Sequence, residues 1–240
     1  MPRFEAVGNQ CRQYRVLPAR CVGAIWLAMK LVLLLTVSFA AIPGATLAAD
    51  NSKATSSLAA VCADCHGKDG ASTQPDVPII GGFSALALEE DLFAFRDGVR
   101  PCRTSNYRTG APNRRPTGMC QISTDLSDDE IIRIAAFYAS KAFVSAKQQP
   151  EPEKAARGEK IHNDLKCVLC HAKGGSDPAD DAGILAGQWM SYLTTALLDF
   201  RAGRRWIPKS MEAKFQNLTD RDIEALAHFY GSESYRHESN

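Results

Sequence analysis

Two stretches of the chain place apolar residues with the period of a helix. Ile131, Ile134, Ala135 and Tyr138 fall at i, i+3, i+4 and i+7, and Ile223, Leu226, Ala227 and Tyr230 repeat that spacing. Each stretch therefore predicts an amphipathic helix with one apolar stripe. Ser127 and Thr219 stand where an N-cap belongs, with Glu130 and Asp222 three residues on, which is the pattern of a capping box. Leu126 with Ile131, and Leu218 with Ile223, have the spacing of a hydrophobic staple. Two more helices are expected over 86–95 and 189–200. No stretch shows strand alternation, and the intervening segments are rich in glycine and proline, so the chain reads as all-α.

The matching helices belong to an internal duplication. Ile79-Ile80-Gly81-Gly82 meets Ile184-Leu185-Ala186-Gly187, and Phe95-Arg96-Asp97-Gly98 meets Phe200-Arg201-Ala202-Gly203, both at an offset of 105. For Leu126 to Ile131 against Leu218 to Ile223 the offset falls to 92, so the first half carries 13 extra residues between Arg100 and Met119. The polar, proline-interrupted stretch 147–153 reads as a linker. The expected units are a first domain over 50–146 and a second over 154–240. Each is shorter than a hundred residues, too small for a large protein core.

Residues 1–49 read as an export signal. Arg3, Arg12, Arg15 and Arg20 precede an apolar run from Leu31 to Ile42, and Ala45 to Ala49 are small residues suited to cleavage after Ala48 or Ala49. Met29-Lys30 followed by Leu31 would itself open a compact signal, which makes Met29 an alternative start. An uncleaved helix over 24–42 is the competing reading, but Lys30 interrupts it and the remaining run is short for a bilayer, so no stable membrane anchor is expected. Removing residues 1–48 takes five basic residues and one acidic residue from totals of 28 and 27, leaving 23 and 26. The exported chain is mildly acidic, and nothing in it points to nucleic acid.

Cys11 and Cys21 leave with the signal, and six of the eight cysteines remain. Four of these form one motif twice, Cys62-Ala63-Asp64-Cys65-His66 and Cys167-Val168-Leu169-Cys170-His171. C-x-x-C-H is the attachment pattern of c-type haem: two thiols add to the porphyrin vinyl groups and the histidine supplies an axial ligand. Four cysteines and two histidines can also bind zinc, and a lone C-x-x-C can serve as a redox dithiol. A histidine directly after the second cysteine in both copies selects haem, one per half. A buried porphyrin would also supply apolar interior that the small halves lack.

A sixth iron ligand must come from farther along, and a methionine thioether suits an electron carrier. The repeat singles out Met119 and Met211, each seven residues before the leucine that opens its closing segment. Met190 competes in the second half but corresponds to Ala85, which favours packing. Beside Met119 lies Cys120, with Cys102 at the other end of the extra segment. In an oxidising compartment the two are expected to form a disulfide; the alternative is a Cys120 thiolate on iron. The extra segment is basic, with Arg100, Arg103, Arg108, Arg114 and Arg115. It reads first as a solvated loop, and secondarily as a surface for an acidic partner or for haem propionates. His162, His228 and His237 are expected at the surface, and Trp189 and Trp206 in a core or beside the second haem.

The twin C-x-x-C-H domains with late methionines resemble the tandem di-haem class I cytochromes. The stretch Ile184-Leu185-Ala186-Gly187-Gln188-Trp189, continuing through Asp199-Phe200-Arg201 and Arg204-Arg205 to Met211, is similar to the cytochrome subunit of flavocytochrome c sulfide dehydrogenase. That resemblance implies a partner subunit holding FAD and oxidising sulfide, and a soluble acceptor such as a small cytochrome c. It places Cys62, Cys65, His66 and Met119 on one haem and Cys167, Cys170, His171 and Met211 on the other. The cysteine-bracketed segment departs from the family pattern. With His and Met on both irons no position is open to substrate, so the chain is expected to move electrons without being an enzyme by itself. A free-standing di-haem carrier serving a terminal oxidase and a thiosulfate-oxidising enzyme are the competing readings.

Overall fold

The two amphipathic stretches form helices whose first turns are held as their sequences demand. Residues 45–109 and 113–233 are described by the computed structural model, and nearly all of the expected export segment, with Met29, lies outside them. Helix α4 (Asp128–Ala139) opens on a capping box between Ser127 and Glu130, and α9 (Asp220–Ser232) on one between Thr219 and Asp222. Each box satisfies otherwise unpaired N–H groups and sets acidic charge at the positive end of the helix dipole. The stripe residues Ile131, Ile134, Ala135 and Tyr138, and Ile223, Leu226, Ala227 and Tyr230, are all buried.

The remaining helices are α1 (Ala45–His66), α2 (Ala85–Arg96), α3 (Met119–Thr124), α5 (Pro152–Asp164), α6 (Ala172–Gly175), α7 (Met190–Arg201) and α8 (Lys209–Phe215). Among the described residues the only β pairing is an isolated antiparallel bridge, Ser105 to Thr117. The expected helices over 86–95 and 189–200 correspond to α2 and α7. In each half the first long helix packs on the last, α1 on α4 and α5 on α9. Gly158 permits the second crossing: a Cβ there would lie 2.1 Å from the Ala225 carbonyl oxygen.

The duplication is written into the bonds at both offsets. Gly82 N–H donates to Tyr138 O and Gly187 N–H to Tyr230 O, both at 2.9 Å. Arg96 pairs with Asp128 at 2.6 Å and Arg201 with Asp220 at 2.5 Å, so in both halves the end of the middle helix is tied to the start of the closing helix.

The halves are joined by buried polar contacts. Gln188, fully buried, accepts from Ile79 N–H and donates to Ile79 O, both at 2.9 Å. Trp189 Nε1 donates to Ser72 O at 3.0 Å, and both Trp189 and Ile184 pack in the first half's core. Trp189 is thus a core tryptophan, as expected, but of the other half's core: an indole with one apolar body and one donor fits the seam, where it finds a carbonyl from the first half. Trp206 is 71% exposed, which corrects the core placement for it. In the stretch 147–153, Gln148 donates to Gln188 O and accepts from Met190 N–H, and Pro152 begins α5.

Arginines of the extra segment complete the joint. Arg103 meets Asp199 with two bonds of 2.7 and 2.8 Å, and Arg204 reaches the same carboxylate at 2.9 Å. Arg100, buried, bonds Asp91 at 2.5 Å and Tyr192 at 2.8 Å, and Arg205 approaches Asp91 at 2.9 Å. The solvated-loop reading gives way at Arg100, which is buried; Arg103 and Arg108 stay exposed and Arg114 half-buried, although each is paired, Arg108 and Arg114 with Asp76 and Asp64.

Candidate haem-binding sites

Helical geometry assembles the first motif. Cys62, Cys65 and His66 occupy the last turn of α1 at i, i+3 and i+4, so the three side chains share one face. His66 is buried, and its Nδ1 lies 2.8 Å from Pro78 O. A carbonyl only accepts, so Nδ1 carries the proton and Nε2 keeps its lone pair. Burial lowers the pKa of His66, and the nearby Arg100 charge adds to this. A neutral imidazole held from behind by a carbonyl is the form in which histidine binds a metal.

Burial also pushes the Cys62 thiol up to about 11 and raises that of Cys167. All four motif cysteines are free of disulfides, while Cys102 and Cys120 are bridged with a Cα–Cα distance of 5.7 Å. Reduced thiols in both motifs are what thioether formation requires, since each adds its S–H across a vinyl double bond. The donor set and its protonation therefore fit covalent haem.

The second motif is built differently. Helix α5 ends at Asp164, Lys166 turns left-handed at φ 56, and Cys167–Leu169 form a 3₁₀ turn. A bond of 2.9 Å from His171 N–H to Cys167 O closes the motif. His171 Nδ1 is buried without a partner. The residue in register with Pro78 is Gly183, which lies at φ 70, a conformation closed to proline. Burial, then the neighbouring His162, lowers His171 to about 4.

His162 corrects a surface assignment. It is 2% exposed, its Nδ1 is 3.0 Å from the Tyr230 hydroxyl, and its ring lies against Phe229. It sits on the face of α5 that meets α9, and i, i+4 spacing from Gly158 was the sequence signal for that face. His228 is half-buried and accepts from Glu151 N–H at 2.9 Å; His237 lies outside the described residues.

Met119 is the first residue of α3, half-buried and adjacent to the disulfide. Met211 is in α8 and packs against the second core cluster, which includes Tyr230. Three residues on, Lys214 donates to Leu165 O, tying α8 to the chain just before Cys167. Met190 packs on the same cluster.

A histidine kept neutral by burial beside two reduced cysteines, provided once in each half of a helical duplication, defines a c-type cytochrome with two attachment sites. The family model Cytochrome c matches residues 44–140. Cytochrome c4 of Pseudomonas aeruginosa is 32% identical over 207 residues, spanning 82% of this chain and 94% of that one. The crystal structure of reduced recombinant cytochrome c4 from Pseudomonas stutzeri superposes with a TM-score of 0.61 at 27% identity, over 76% of this chain and 98% of that one. Thiosulfate dehydrogenase TsdBA from Marichromatium purpuratum is similar at a TM-score of 0.58 and 25% identity, over 72% of this chain and 36% of that one. The chain belongs to the cytochrome c4 family of di-haem electron carriers, two tandem class I cytochrome c domains in one polypeptide.

Proposed function

We propose that the chain is an exported, periplasmic carrier that relays single electrons between two protein partners. Cys62, Cys65, His66 and Met119 hold one haem, and Cys167, Cys170, His171 and Met211 the other. The observation that carries this reading is the doubled motif with its thiols reduced, inside a fold that spans nearly the whole of a cytochrome c4. When bound, each haem supplies a reversible one-electron iron couple. The chain anchors it through thioethers, presents a neutral imidazole, and offers a soft thioether that favours the ferrous state. With a histidine and a methionine for each iron, the chain would leave no position open to substrate and the transfer would be outer-sphere. Cys120 is bridged to Cys102 and has no thiolate to offer, which argues against an enzyme with a Cys-ligated haem.

The haem-subunit reading, with an FAD-containing sulfide dehydrogenase as partner, is supported by the stretch from Ile184 to Met211. Within that stretch Ile184, Gln188 and Trp189 build the seam between the halves, a role a free-standing carrier needs equally. That stretch does not separate the two readings; the likeness to cytochrome c4 over nearly its whole length is what supports the free-standing carrier. Affinity purification of the tagged chain from its own host tests it. The expected product carries two haems c per chain by pyridine haemochrome and no FAD; stoichiometric FAD and a flavoprotein band would favour the subunit reading, and fewer than two haems would refute both.

A further inference from the structure

The extra segment of the first half is fastened at its base and at both arms. Cys102 and Cys120 close the base, and Ser105 and Thr117 exchange backbone bonds of 2.7 and 3.0 Å just above it. Beyond that bridge both arms converge on Asp64, a residue inside the first C-x-x-C-H motif. From the arm 102–109, Arg108 N–H and Thr109 N–H donate to Asp64 O at 3.0 and 3.1 Å, and the Thr109 hydroxyl lies 3.2 Å from its carboxylate. From the arm 113–120, Arg114 donates to the same carboxylate while stacking over Tyr107, 3.4 Å from the ring centroid. The second motif has no counterpart: the residue in register with Asp64 is Leu169, 78% exposed. Its methionine segment, 206–211, has no disulfide.

We infer that the two arms 102–109 and 113–120 form a strap that fixes Met119 relative to the first haem motif, with Asp64 and Arg114 as positioning residues. The inference rests on the assignment of Met119 as iron ligand. The backbone that carries Met119 is tied covalently to Cys102 through its neighbour Cys120 and, through the two arms, to the turn that carries Cys62, Cys65 and His66, so the segment cannot carry the thioether away as a body and only side-chain rotation is left. The second haem's methionine segment is held by packing, by the Lys214 contact and by the ties of Arg204 and Arg205 at its start, with no covalent bridge and no bond to its own haem motif's Leu169. The two haems therefore differ in how readily an incoming ligand displaces methionine, the first being slower.

The test mixes ferric holoprotein with imidazole and follows displacement of methionine by stopped-flow absorbance. Met119→Ala and Met211→Ala assign the two phases, each expected to abolish one of two methionine-to-iron charge-transfer bands. Asp64→Asn, Arg114→Gln and the double variant Cys102→Ser/Cys120→Ser should each speed the first haem's phase by about tenfold, the loss of one charge-assisted bond or more, and leave the second unchanged. Arg114→Gln keeps both the haem motif and the disulfide, so the test survives if another variant fails to mature. If Met119→Ala leaves both bands intact, the ligand assignment falls. If it removes one band but the strap variants exchange at the wild-type rate, the strap is refuted and the assignment stands.

Discussion

Replacing Gly158 by alanine sets two physical effects against each other. Within a helix, alanine is favoured over glycine by about 1 kcal/mol, so propensity alone predicts a more stable protein. The crossing of α5 and α9 predicts the reverse. The new Cβ would sit 2.1 Å from Ala225 O, 2.6 Å from Ala225 C and 2.7 Å from Phe229 Cβ. Two of these atoms are backbone, which cannot rotate aside, and attractive contact begins only near about 3.5 Å, so the helices must part by about 1 Å. That movement loosens the cluster of Ile223, Leu226, Ala227 and Phe229. Overpacking of this kind costs about 1–3 kcal/mol or more. With immovable obstacles the upper end applies, leaving a net loss of about 2 kcal/mol after the propensity gain. Thermal unfolding of the oxidised holoprotein, followed by far-ultraviolet circular dichroism and Soret absorbance, should show Tm lowered by about 4–8 °C. A Gly158→Ala protein as stable as wild type, or more so, would refute the crossing described here.

Gln188→Leu strands the N–H and C=O of Ile79, both deeply buried, and should cost about 2–4 kcal/mol; urea unfolding should separate into two transitions, and a single unshifted transition would contradict the role of this residue in the joint. Asp199 governs an acid limb. Burial raises its pKa, but Arg103 and Arg204 more than offset that, and the net direction is downward. A folded value below the unfolded one of about 4 means that its contribution is complete above about pH 4 and is lost as pH falls through the folded value. Asp199→Asn should therefore flatten the dependence of the urea midpoint on pH below about 4, and an unchanged acid limb would count against the pairing.

Much of the architecture was legible in the chain because its causes are local. Capping boxes and the i, i+3, i+4 stripes depend on residues within a few positions of one another. The duplication then placed each element twice. What could not be read was decided across long separations. His162 looks like a polar residue beside a motif, yet it is buried because Gly158 brings α9 close enough to cover it. The arginines of the extra segment look like a solvated run, yet Asp199, Asp91, Asp76 and Asp64 reach four of them only once the two halves and the α1 turn are in place.

The sequence by itself determined that the attachment pattern of c-type haem is present, since C-x-x-C-H is a matter of spacing along the chain. It also determined that there are two such sites, related by a repeat whose register names a methionine for each. The tertiary structure decided how the two sites differ. Asp64 lies under two arms held by a disulfide, while Leu169 stays exposed; His66 bonds a proline carbonyl, while His171 Nδ1 stands without a partner. The reason is that such contacts are set by which distant backbone arrives beside a motif, and although the copies differ in sequence, with Asp64 in one and Leu169 in the other, that difference does not say which neighbours arrive.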